Sequence, residues 1–543
     1  MWLSIMEVPA QIWLAAAFIY VFLHFVVQQL LCKSVTYPTS IPIVGTRQEW
    51  FSSARASFRQ LTDGISTLST GYKLHSKCGR PFLLNEPSLQ KEVMLPPEHI
   101  KWFSNQPDST LSSAEIRKER HAVRYLDIGV EFETSVFFLE RFIGESLTKN
   151  LDKLQGPMLE EIRRNTVEIF GTDEAGWKTL NVYSSMQDII LPAMSRVFFG
   201  LPLGRDPKFL VSFQRYVLAM GVGTLVIGQL PRAFKGMLVP IFNLPLRYYR
   251  SKTMKTLVPM VERQLQAQKP SSRLESREEE YDLISQSARV SAKLGSIRNI
   301  ADSGMLAEWI LLLGFAALSS TIIQASNLLL DILYCPSETQ AYGTLREEAG
   351  CSLQCEEDWM NPATFKRLNL CDSAIRETAR YHPILIKGLS KEVVQPQGLS
   401  LPDGTHIPQG GWLGVPVLGL HNDERFYPEP FKYDPFRYAR LKQSREESQR
   451  DAQAKGEEVS RSTRDLDAAQ PTATYVGFGY GKHACPGRWF AVQLLKILLA
   501  YITINYDVEA TGPQPEAKVI GDAAMPPTSA TIRVRRRKQS ESV

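Results

Sequence analysis

One cysteine of this sequence lies in a glycine-rich segment directly before a predicted apolar helix. The segment reads FGYGKHACPGRWFA from Phe478 to Ala491, contains Cys485, and leads into a helix predicted over residues 486–502. Pro486 suits the first helical turn, because the N–H group that it lacks would have no partner there. The free backbone N–H groups and the helix dipole at this point favour a thiolate. Cys485 is therefore a candidate metal ligand, and the fifth ligand of a haem iron fits this setting best.

The residues around Cys485 form a more specific pattern than the cysteine alone. Glycines at 479, 481 and 487 would let the backbone approach a flat, bulky group, because no Cβ intervenes. The chain resembles the cytochrome P-450 superfamily of haem-thiolate monooxygenases, whose signature F-x-x-G-x-H-x-C-x-G is matched without a gap by Phe478, Gly481, His483, Cys485 and Gly487. The resemblance implies that Cys485 is the proximal ligand of haem b, that Phe478 shields its sulfur and that His483 contacts a haem propionate.

Three further motifs follow the order of that family. Glu377 and Arg380 form an E-x-x-R on a predicted helix, where residues three apart share a face and can pair. The segment FKYDPFRY from residue 431 to 438 resembles the F-x-P-x-R-F element, and the segments 421–423 and 427–430 match what precedes it. By resemblance, Arg437 joins Glu377 and Arg380 in a structural ion-pair triad, for which the planar fork of arginine is suited.

The predicted distal helix departs from the family pattern. Its segment GFAALSST spans residues 314–321, in which Ala316 and Ala317 fit the small residues that leave room for oxygen. Ser319 stands where an acid or another polar group is usual, and Ser320 and Thr321 stand where threonine is expected. A hydroxyl can donate a proton or order a water chain, or it can simply bond the i−4 carbonyl of its own helix. The sequence does not choose between Ser320 and Thr321. The W-x-x-x-R motif of the family cannot be placed, although residues 132–149 are expected to hold its helix.

Composition and charge exclude several other classes of protein. The chain has 543 residues, of which 44% are hydrophobic, and a net charge of only +5, which gives no argument for nucleic acid. Its seven cysteines are odd in number and scattered, so they predict reduced thiols rather than a disulfide framework. A zinc site at Cys351, Cys355 and Cys371 is a weaker reading, because the spacing is loose and no free histidine is near.

The N-terminus predicts a membrane anchor over residues 10–32. About 21 residues from Ile12 to Cys32 carry no formal charge and would span the hydrocarbon core as a helix. A cleaved signal peptide and a buried core helix are the alternatives. Lys33 and Arg47 follow the run and no basic residue precedes it, which places the catalytic domain on the cytosolic side of the endoplasmic reticulum membrane. Residues 33–46 form a proline-rich linker.

The remaining chain, residues 47–543, is expected to be one catalytic domain that is mainly α with a small β part, the cytochrome P-450 fold. A long apolar helix is predicted from Ser303 to Tyr334, and strands near 391–394, 411–417 and 530–534. Glycines and prolines interrupt the apolar stretch 216–245, which is expected to cover a pocket or to dip into the membrane surface. Residues 440–467, mixed in charge and nearly free of apolar side chains, are expected to form a solvated insertion.

The resemblance implies insertion of one oxygen atom from O2 into a hydrophobic substrate, with electrons from NADPH through a separate flavoprotein reductase. By family position, five segments should line the pocket: 111–127, 217–238, the helix near 315, 387–390 and 523–527. Their mostly apolar content predicts a hydrophobic substrate. General similarity to fungal microsomal enzymes suggests a terpenoid-like secondary metabolite. The alternatives are a haem-thiolate isomerase or dehydratase that needs no reductase, and a membrane protein that binds haem or lipid without turnover.

Overall fold

The computed structural model describes residues 35–129, 142–268, 281–298, 302–454 and 463–538. The predicted N-terminal anchor, residues 10–32, lies outside these described residues. Within them the α-helices are α1 Ser52–Leu74, α2 Ile100–Asn105, α3 Ser113–Arg120, α4 Leu151–Phe170, α5 Val182–Phe199, α6 Pro207–Gln229, α7 Arg232–Ala267, α8 Leu283–Arg298, α9 Ser303–Leu333, α10 Ala341–Ser352, α11 Glu356–Met360, α12 Asn369–Tyr381, α13 Val417–His421, α14 Arg437–Ala454 and α15 Arg488–Asn505.

The strands are short and belong to four small sheets. They are β1 Ile43–Val44, β2 Phe82–Asn85, β3 Lys91–Met94, β4 Leu111–Ser112, β5 Lys178–Asn181, β6 Gly388–Val393, β7 Leu399–Ser400, β8 His406–Ile407, β9 Trp412–Val415, β10 Tyr506–Ala510, β11 Lys518–Ile520, β12 Ala523–Met525 and β13 Thr531–Arg536. The largest sheet has the order β1-β2-β3-β9-β6-β4. A second sheet has the order β10-β13-β5, and the pairs β11-β12 and β7-β8 complete the set. The prediction of a mainly helical chain with a small β part is confirmed.

Two apolar helices form the centre of the helical core. Helix α9 packs against α5, α7 and α12, while α15 packs against α10, α12 and α4. Both are apolar over most of their circumference, as expected for helices surrounded by protein. The predicted helix at 303–334 is confirmed to within one residue, but α15 begins at Arg488, so Pro486 precedes its first turn instead of occupying it.

The apolar stretch 216–245 is more regular than the sequence suggested. It lies in α6 and α7, which break only at Leu230 and Pro231, and Pro240 and Pro245 are inside α7. The glycines of α6 serve close packing: a Cβ on Gly228 would lie 2.0 Å from the carbonyl oxygen of Arg120. The predicted break at Pro231 is confirmed. The breaks predicted at the glycines and at Pro240 were wrong, and at Gly228 it is the close approach of a neighbouring segment that requires glycine.

Two of the described helices, α6 and α9, are long and apolar enough to cross a bilayer by length and composition, and α9 is mostly buried inside the protein. The predicted charged insertion begins as α14, an exposed helix, and its residues 455–462 lie outside the described part. Its far end returns to the protein, since the Leu466 side chain packs with Tyr427 and Tyr438.

Candidate active site

A tight loop presents Cys485 at the N-terminus of α15. The backbone N–H of Cys485 donates to the carbonyl of Phe478 over 2.7 Å, which closes the loop. Arg488, in the first turn of α15, donates to the carbonyl oxygens of Cys485 and Ala469 over 2.8 and 2.9 Å. These bonds fix the loop to the helix, and Cys485 itself stays exposed. The thiol is thus held by backbone geometry instead of being packed into the core.

Two opposing effects act on the Cys485 thiol. Partial desolvation by the surrounding protein raises its pKa, while the backbone N–H groups of Gly487 and Arg488 and the charge of Arg488 lower it. Desolvation is the larger effect. The N–H groups at the helix start thus lower the pKa of Cys485, in the direction expected from the sequence, and a metal ion deprotonates a thiol that coordinates it.

The glycines of the loop differ in what they do. Gly481 has a φ of 71°, and a Cβ on it would lie 3.0 Å from the Cβ of Ser104, so both conformation and space require glycine. Gly479 also has a positive φ, of 75°. Gly487 has an ordinary φ of −88° and serves as the N-cap of α15. The three glycines, for which one common role was expected, therefore have different roles: Gly479 and Gly481 adopt a positive φ, whereas Gly487 caps a helix.

The structure brings the three members of the predicted triad together behind this loop. The guanidinium of Arg380 donates two hydrogen bonds of 2.8 Å to the carboxylate of Glu377, and both side chains are fully buried. Nε of Arg437 donates to Glu377 over 3.1 Å. The N–H of Asp434 is the fourth donor to this carboxylate, at 3.3 Å. One buried carboxylate thus joins α12 to the start of α14.

His421 connects the triad to the cysteine loop. Arg380 donates to the carbonyl of His421 over 2.7 Å, and Nδ1 of His421 lies 3.1 Å from the carbonyl oxygen of Arg380. Nε2 of His421 accepts the N–H of Val476, at the start of the cysteine loop, over 3.0 Å. Burial lowers the pKa of His421 to about 3, so the ring is neutral and has one donor and one acceptor. The sequence analysis cited His421 only as part of a motif, and its bridging role depends on contacts that sequence spacing does not show.

A cavity of about 510 Å³ lies between the cysteine loop, α3, α6, α9 and β6. All five segments that were expected to line it contribute residues, among them Arg117, Val217, Phe315, Lys387 and Ala523. The cysteine loop contributes Gly479, Tyr480 and His483. The lining is largely apolar, as predicted, but it also contains several charged side chains, which the sequence analysis did not foresee.

The distal hydroxyls in α9 have different environments. Oγ of Ser320 donates to the carbonyl oxygens of Ala316 and Ala317 over 3.1 and 3.2 Å, and its side chain is partly exposed beside the exposed Ala316. Oγ1 of Thr321 donates to the carbonyl oxygen of Ala317 over 2.8 Å and is buried. Ser319 lines the cavity, one helical turn after Phe315. The helix bonds that the sequence allowed are therefore made by both hydroxyls, and of these two Ser320 is the accessible one.

A buried lysine on the cavity wall was missed by the sequence analysis. Nζ of Lys391 donates to the carbonyl of Phe103 over 3.1 Å, and the side chain is only 4% exposed. Burial, reinforced by the nearby charge of Lys482, lowers the pKa of Lys391 to about 8. Among the described residues no carboxylate lies within ion-pairing distance of it. Nε2 of His483, on the same wall, lies 2.9 Å from a carboxylate oxygen of Asp108.

Comparison with known proteins identifies the family of this site. Residues 87–534 match the family model described as Cytochrome P450. The chain belongs to the cytochrome P450 family. The cytochrome P450 monooxygenase efuH of Hormonema carpetanum is 48% identical over 502 residues, which cover 92% of this chain and 87% of efuH. The monooxygenase fsoD of Humicola fuscoatra is 48% identical over 540 residues, covering 96% of this chain and 97% of fsoD. A third, polB of Polytolypa hystricis, is 39% identical over 93% of this chain and 94% of its own length.

As a P450 monooxygenase, the protein is an oxidoreductase with a haem-thiolate cofactor and uses O2, and members of this family generally receive electrons from a reductase. The described residues fit this cofactor in two respects. The loop that carries the exposed Cys485 contributes other residues to the cavity lining, and a buried ammonium, that of Lys391, faces the same cavity without an anionic partner among the described residues. Such a cation suits the carboxylate of a haem propionate. The feature of the sequence that could have indicated this role is the position of Lys391, a lysine within the strand that follows the E-x-x-R motif.

Proposed function

We propose that this P450 inserts one oxygen atom from O2 into a hydrophobic substrate, a terpenoid-like secondary metabolite, by hydroxylation, epoxidation or successive oxidation. The observation that carries the proposal is the exposed Cys485, held at the N-terminus of α15 in a loop whose other residues line a largely apolar cavity. Cys485 is the proximal ligand of haem b in this proposal. Phe478, Gly481, His483 and Gly487 form its binding loop, while Glu377, Arg380 and Arg437 are the structural triad behind it.

The haem, when bound, supplies the chemistry that activates oxygen, and the thiolate donates electron density that favours O–O cleavage. The chain's own residues position and protect this group. Lys391 compensates propionate charge, and the apolar lining excludes water from the reacting face. On the distal side, Ser320 is the proposed proton donor, because its hydroxyl is accessible beside Ala316 and can leave its helix carbonyl partner for a water chain.

Replacing Ser320 with alanine is expected to uncouple electron use from substrate oxidation. Without the hydroxyl, protons are delivered less selectively, so we expect roughly a tenfold fall in product formed per NADPH oxidised and a matching rise in released H2O2. Thr321→Val is the matched control, since that hydroxyl is buried and bonded to Ala317. Both ratios are measured in the reconstituted enzyme with its substrate. Uncoupling by Thr321→Val, but not by Ser320→Ala, would contradict the assignment of Ser320 and make Thr321 the proton donor.

The reaction class can be tested by its need for electrons. A monooxygenase requires NADPH, a flavoprotein reductase and O2, and 18O2 labels one oxygen of its product. A haem-thiolate isomerase or dehydratase rearranges a peroxide without reductase, and Ser319, in place of the usual acid, is the feature that favours this second candidate. Conversion of a peroxide with no NADPH and no 18O2 incorporation would support the second candidate and contradict the first. We propose that the basic residues Lys482 and Arg488, near Cys485, contribute to a surface that binds an acidic face of the reductase. Within the protein, Lys482 also pairs with Asp108 and Arg488 donates to backbone carbonyls.

We also propose that the enzyme is held at the endoplasmic reticulum membrane, with its catalytic domain in the cytosol, by a single spanning helix over residues 10–32 and by a second contact on α7. The surface that we call the α7 stripe supports the second contact. It consists of Met237, Ile241, Leu244 and Tyr248, which are spaced for one helical face and are 39–71% exposed. An exposed apolar stripe of this kind is typical of a surface that dips into the interface.

Deleting residues 1–33 is therefore expected to release the protein from microsomes only in part. Adding Ile241→Glu and Leu244→Glu should shift the remaining partition by roughly tenfold or more, because two apolar side chains leave the interface. The fraction in the supernatant after ultracentrifugation is the readout. Phe431→Glu with Leu441→Glu is the matched control, since both are exposed apolar residues outside the α7 stripe. Complete release by the deletion alone would leave the N-terminal segment as the sole anchor.

A further inference from the structure

One end of the cavity is lined by charged and polar side chains, in contrast to its apolar middle. Arg120 and His121 come from the end of α3, Lys387 and Ser390 from β6 and the residue before it, and Asp522 from the β11–β12 turn. We call these five residues the polar end. They come from segments far apart in sequence, so only the fold brings them together.

The two cations of the polar end are already neutralised by carboxylates. Arg120 pairs with Glu92 through two hydrogen bonds, and Lys387 pairs with Glu86, with Glu92 at 3.3 Å and with Asp522 at 3.1 Å. Glu86 and Glu92 lie behind the cavity wall and are buried. Burial raises the pKa of Glu86 to about 7, which is the expected response where carboxylates outnumber cations. The polar end therefore has no spare positive charge for an anionic ligand.

The remaining hydrogen-bonding capacity of the polar end is neutral. Burial lowers the pKa of His121 to about 4, and among the described residues no group hydrogen-bonds its imidazole ring, which lines the cavity. A neutral imidazole offers one donor and one acceptor. Oγ of Ser390 accepts from Arg120, and the Ser390 hydroxyl also hydrogen-bonds the Glu92 carboxylate, so Ser390 belongs to the paired charges and adds no free donor. Oγ1 of Thr224, on the facing helix α6, is buried and has no hydrogen-bond partner in the described part of the chain. Paired donors and acceptors of this kind match a hydroxyl group.

Helix α6 contacts both the polar end and the distal helix α9, so its length gives the distance between them. Gly221 packs near the ring of Phe315, since a Cβ on it would lie 3.8 Å away, and Phe315 adjoins Ala316 on α9. Gly228, seven residues later, packs against the backbone of Arg120 and His121. At 1.5 Å per residue these two points are about 10 Å apart along the axis of α6. A molecule that reaches both ends must therefore be elongated.

We infer that the substrate is an elongated apolar molecule with a neutral hydroxyl group at one end, that His121 binds this hydroxyl with help from Thr224, and that oxidation occurs about 10 Å away. This inference rests on the proposed monooxygenase function and specifies its substrate class. The paired charges behind His121 hold the wall in place and disfavour a carboxylate at the same position. His121 is thereby a specificity-determining residue, since it contacts the substrate away from the reacting atoms.

The test is an optical titration of the haem spin state in the full-length holoenzyme, after its reduced carbon monoxide spectrum has shown thiolate ligation. The probes are a steroid with one ring-A hydroxyl, the same steroid with hydrogen in its place and the matching carboxylate. A long-chain primary alcohol, the alkane of equal length and its carboxylate form a second series. We expect each alcohol to bind about tenfold more tightly than its hydrocarbon in at least one series, and more tightly than the carboxylate.

His121→Phe should reduce the preference for the alcohol to about twofold or less. Tyr183→Phe is the matched control, because it removes a hydroxyl from the same cavity away from the polar end, and it should keep the preference. The wild-type series decides the question even if the His121 variant does not fold. Alcohols that bind no better than hydrocarbons, including no measurable binding of either, or tighter binding of the carboxylates, would overturn the inference. A missing thiolate spectrum would instead contradict the proposed function.

Discussion

Replacing Cys485 with serine is expected to abolish monooxygenase activity and the thiolate-type spectrum while the polypeptide remains folded. The loop is closed by the backbone N–H of Cys485, which donates to Phe478, and by the guanidinium of Arg488, which donates to two carbonyls. None of these bonds uses the Cys485 side chain, so all of them can form with serine. What serine cannot supply is a thiolate as the axial ligand, so the electron donation that favours O–O cleavage disappears. We expect a loss of at least a hundredfold in NADPH-dependent turnover, measured beside the ferric absorption and EPR spectra.

Cys351→Ser is the control for this substitution, because Cys351 is also exposed and lies on α10 away from the cavity. It should keep both spectrum and activity. Circular dichroism of the two variants should be the same. Turnover that survives in Cys485→Ser at the wild-type rate would show that the ligand has been assigned to the wrong residue.

Replacing Glu377 with alanine is expected to remove nearly all haem-loaded protein. Glu377 is fully buried and accepts hydrogen bonds from Arg380 and Arg437, so its loss leaves two buried guanidinium groups without their anion. Breaking a buried pair in this way typically costs about 3–5 kcal/mol. The damage should reach the haem, because Arg380 orients His421, whose ring holds the N–H of Val476 before the cysteine loop. Haem content per folded chain and the midpoint of urea unfolding are the measurements.

Glu509→Ala provides the matched control, since Glu509 pairs with Arg533 at a surface where both side chains are about half exposed. Surface pairs contribute about 0–1 kcal/mol, so this variant should keep its haem and its stability. His421→Ala should lie between the two, with stable helices but weakened haem retention. Normal haem content in Glu377→Ala would refute the structural role of the triad.

The helical framework could be read from the sequence because its signals are local. The apolar run that became α9 ends at Pro336, and the run after Cys485 became α15, so hydrophobic pattern and breakers were enough. In the stretch that forms α6 and α7, Pro231 marked the break correctly, but the glycines were taken for further breaks. Gly228 instead allows close approach of the carbonyl of Arg120, a contact that local sequence rules do not show. The short strands at the N-terminal end of the large sheet were also missed. β1 pairs with β2 and β3 pairs with β9 across long stretches of chain, whereas β2 and β3 form a local hairpin that the residue pattern did not reveal.

The candidate site divides in the same way. The cysteine loop and the pairing of Glu377 with Arg380 follow from short motifs, and the resemblance to the family added Arg437. Lys391 and the polar end around His121 did not follow, because each depends on charges that the fold brings together from separate segments. A lysine in a strand is ordinarily a solvated residue, and only burial without an anion distinguishes Lys391. The spacing of residues along the sequence therefore does not predict which charged groups the fold buries or brings together.

The most direct test of the central claim is the visible spectrum of the dithionite-reduced, carbon monoxide-treated full-length protein in microsomes, recorded with and without Cys485. If Cys485 is the thiolate ligand of a haem, the wild-type protein gives a strongly red-shifted Soret band that is absent from Cys485→Ser and present in Cys351→Ser. A haem-loaded, folded wild-type protein that lacks this band, or a band that persists in Cys485→Ser, would contradict the account.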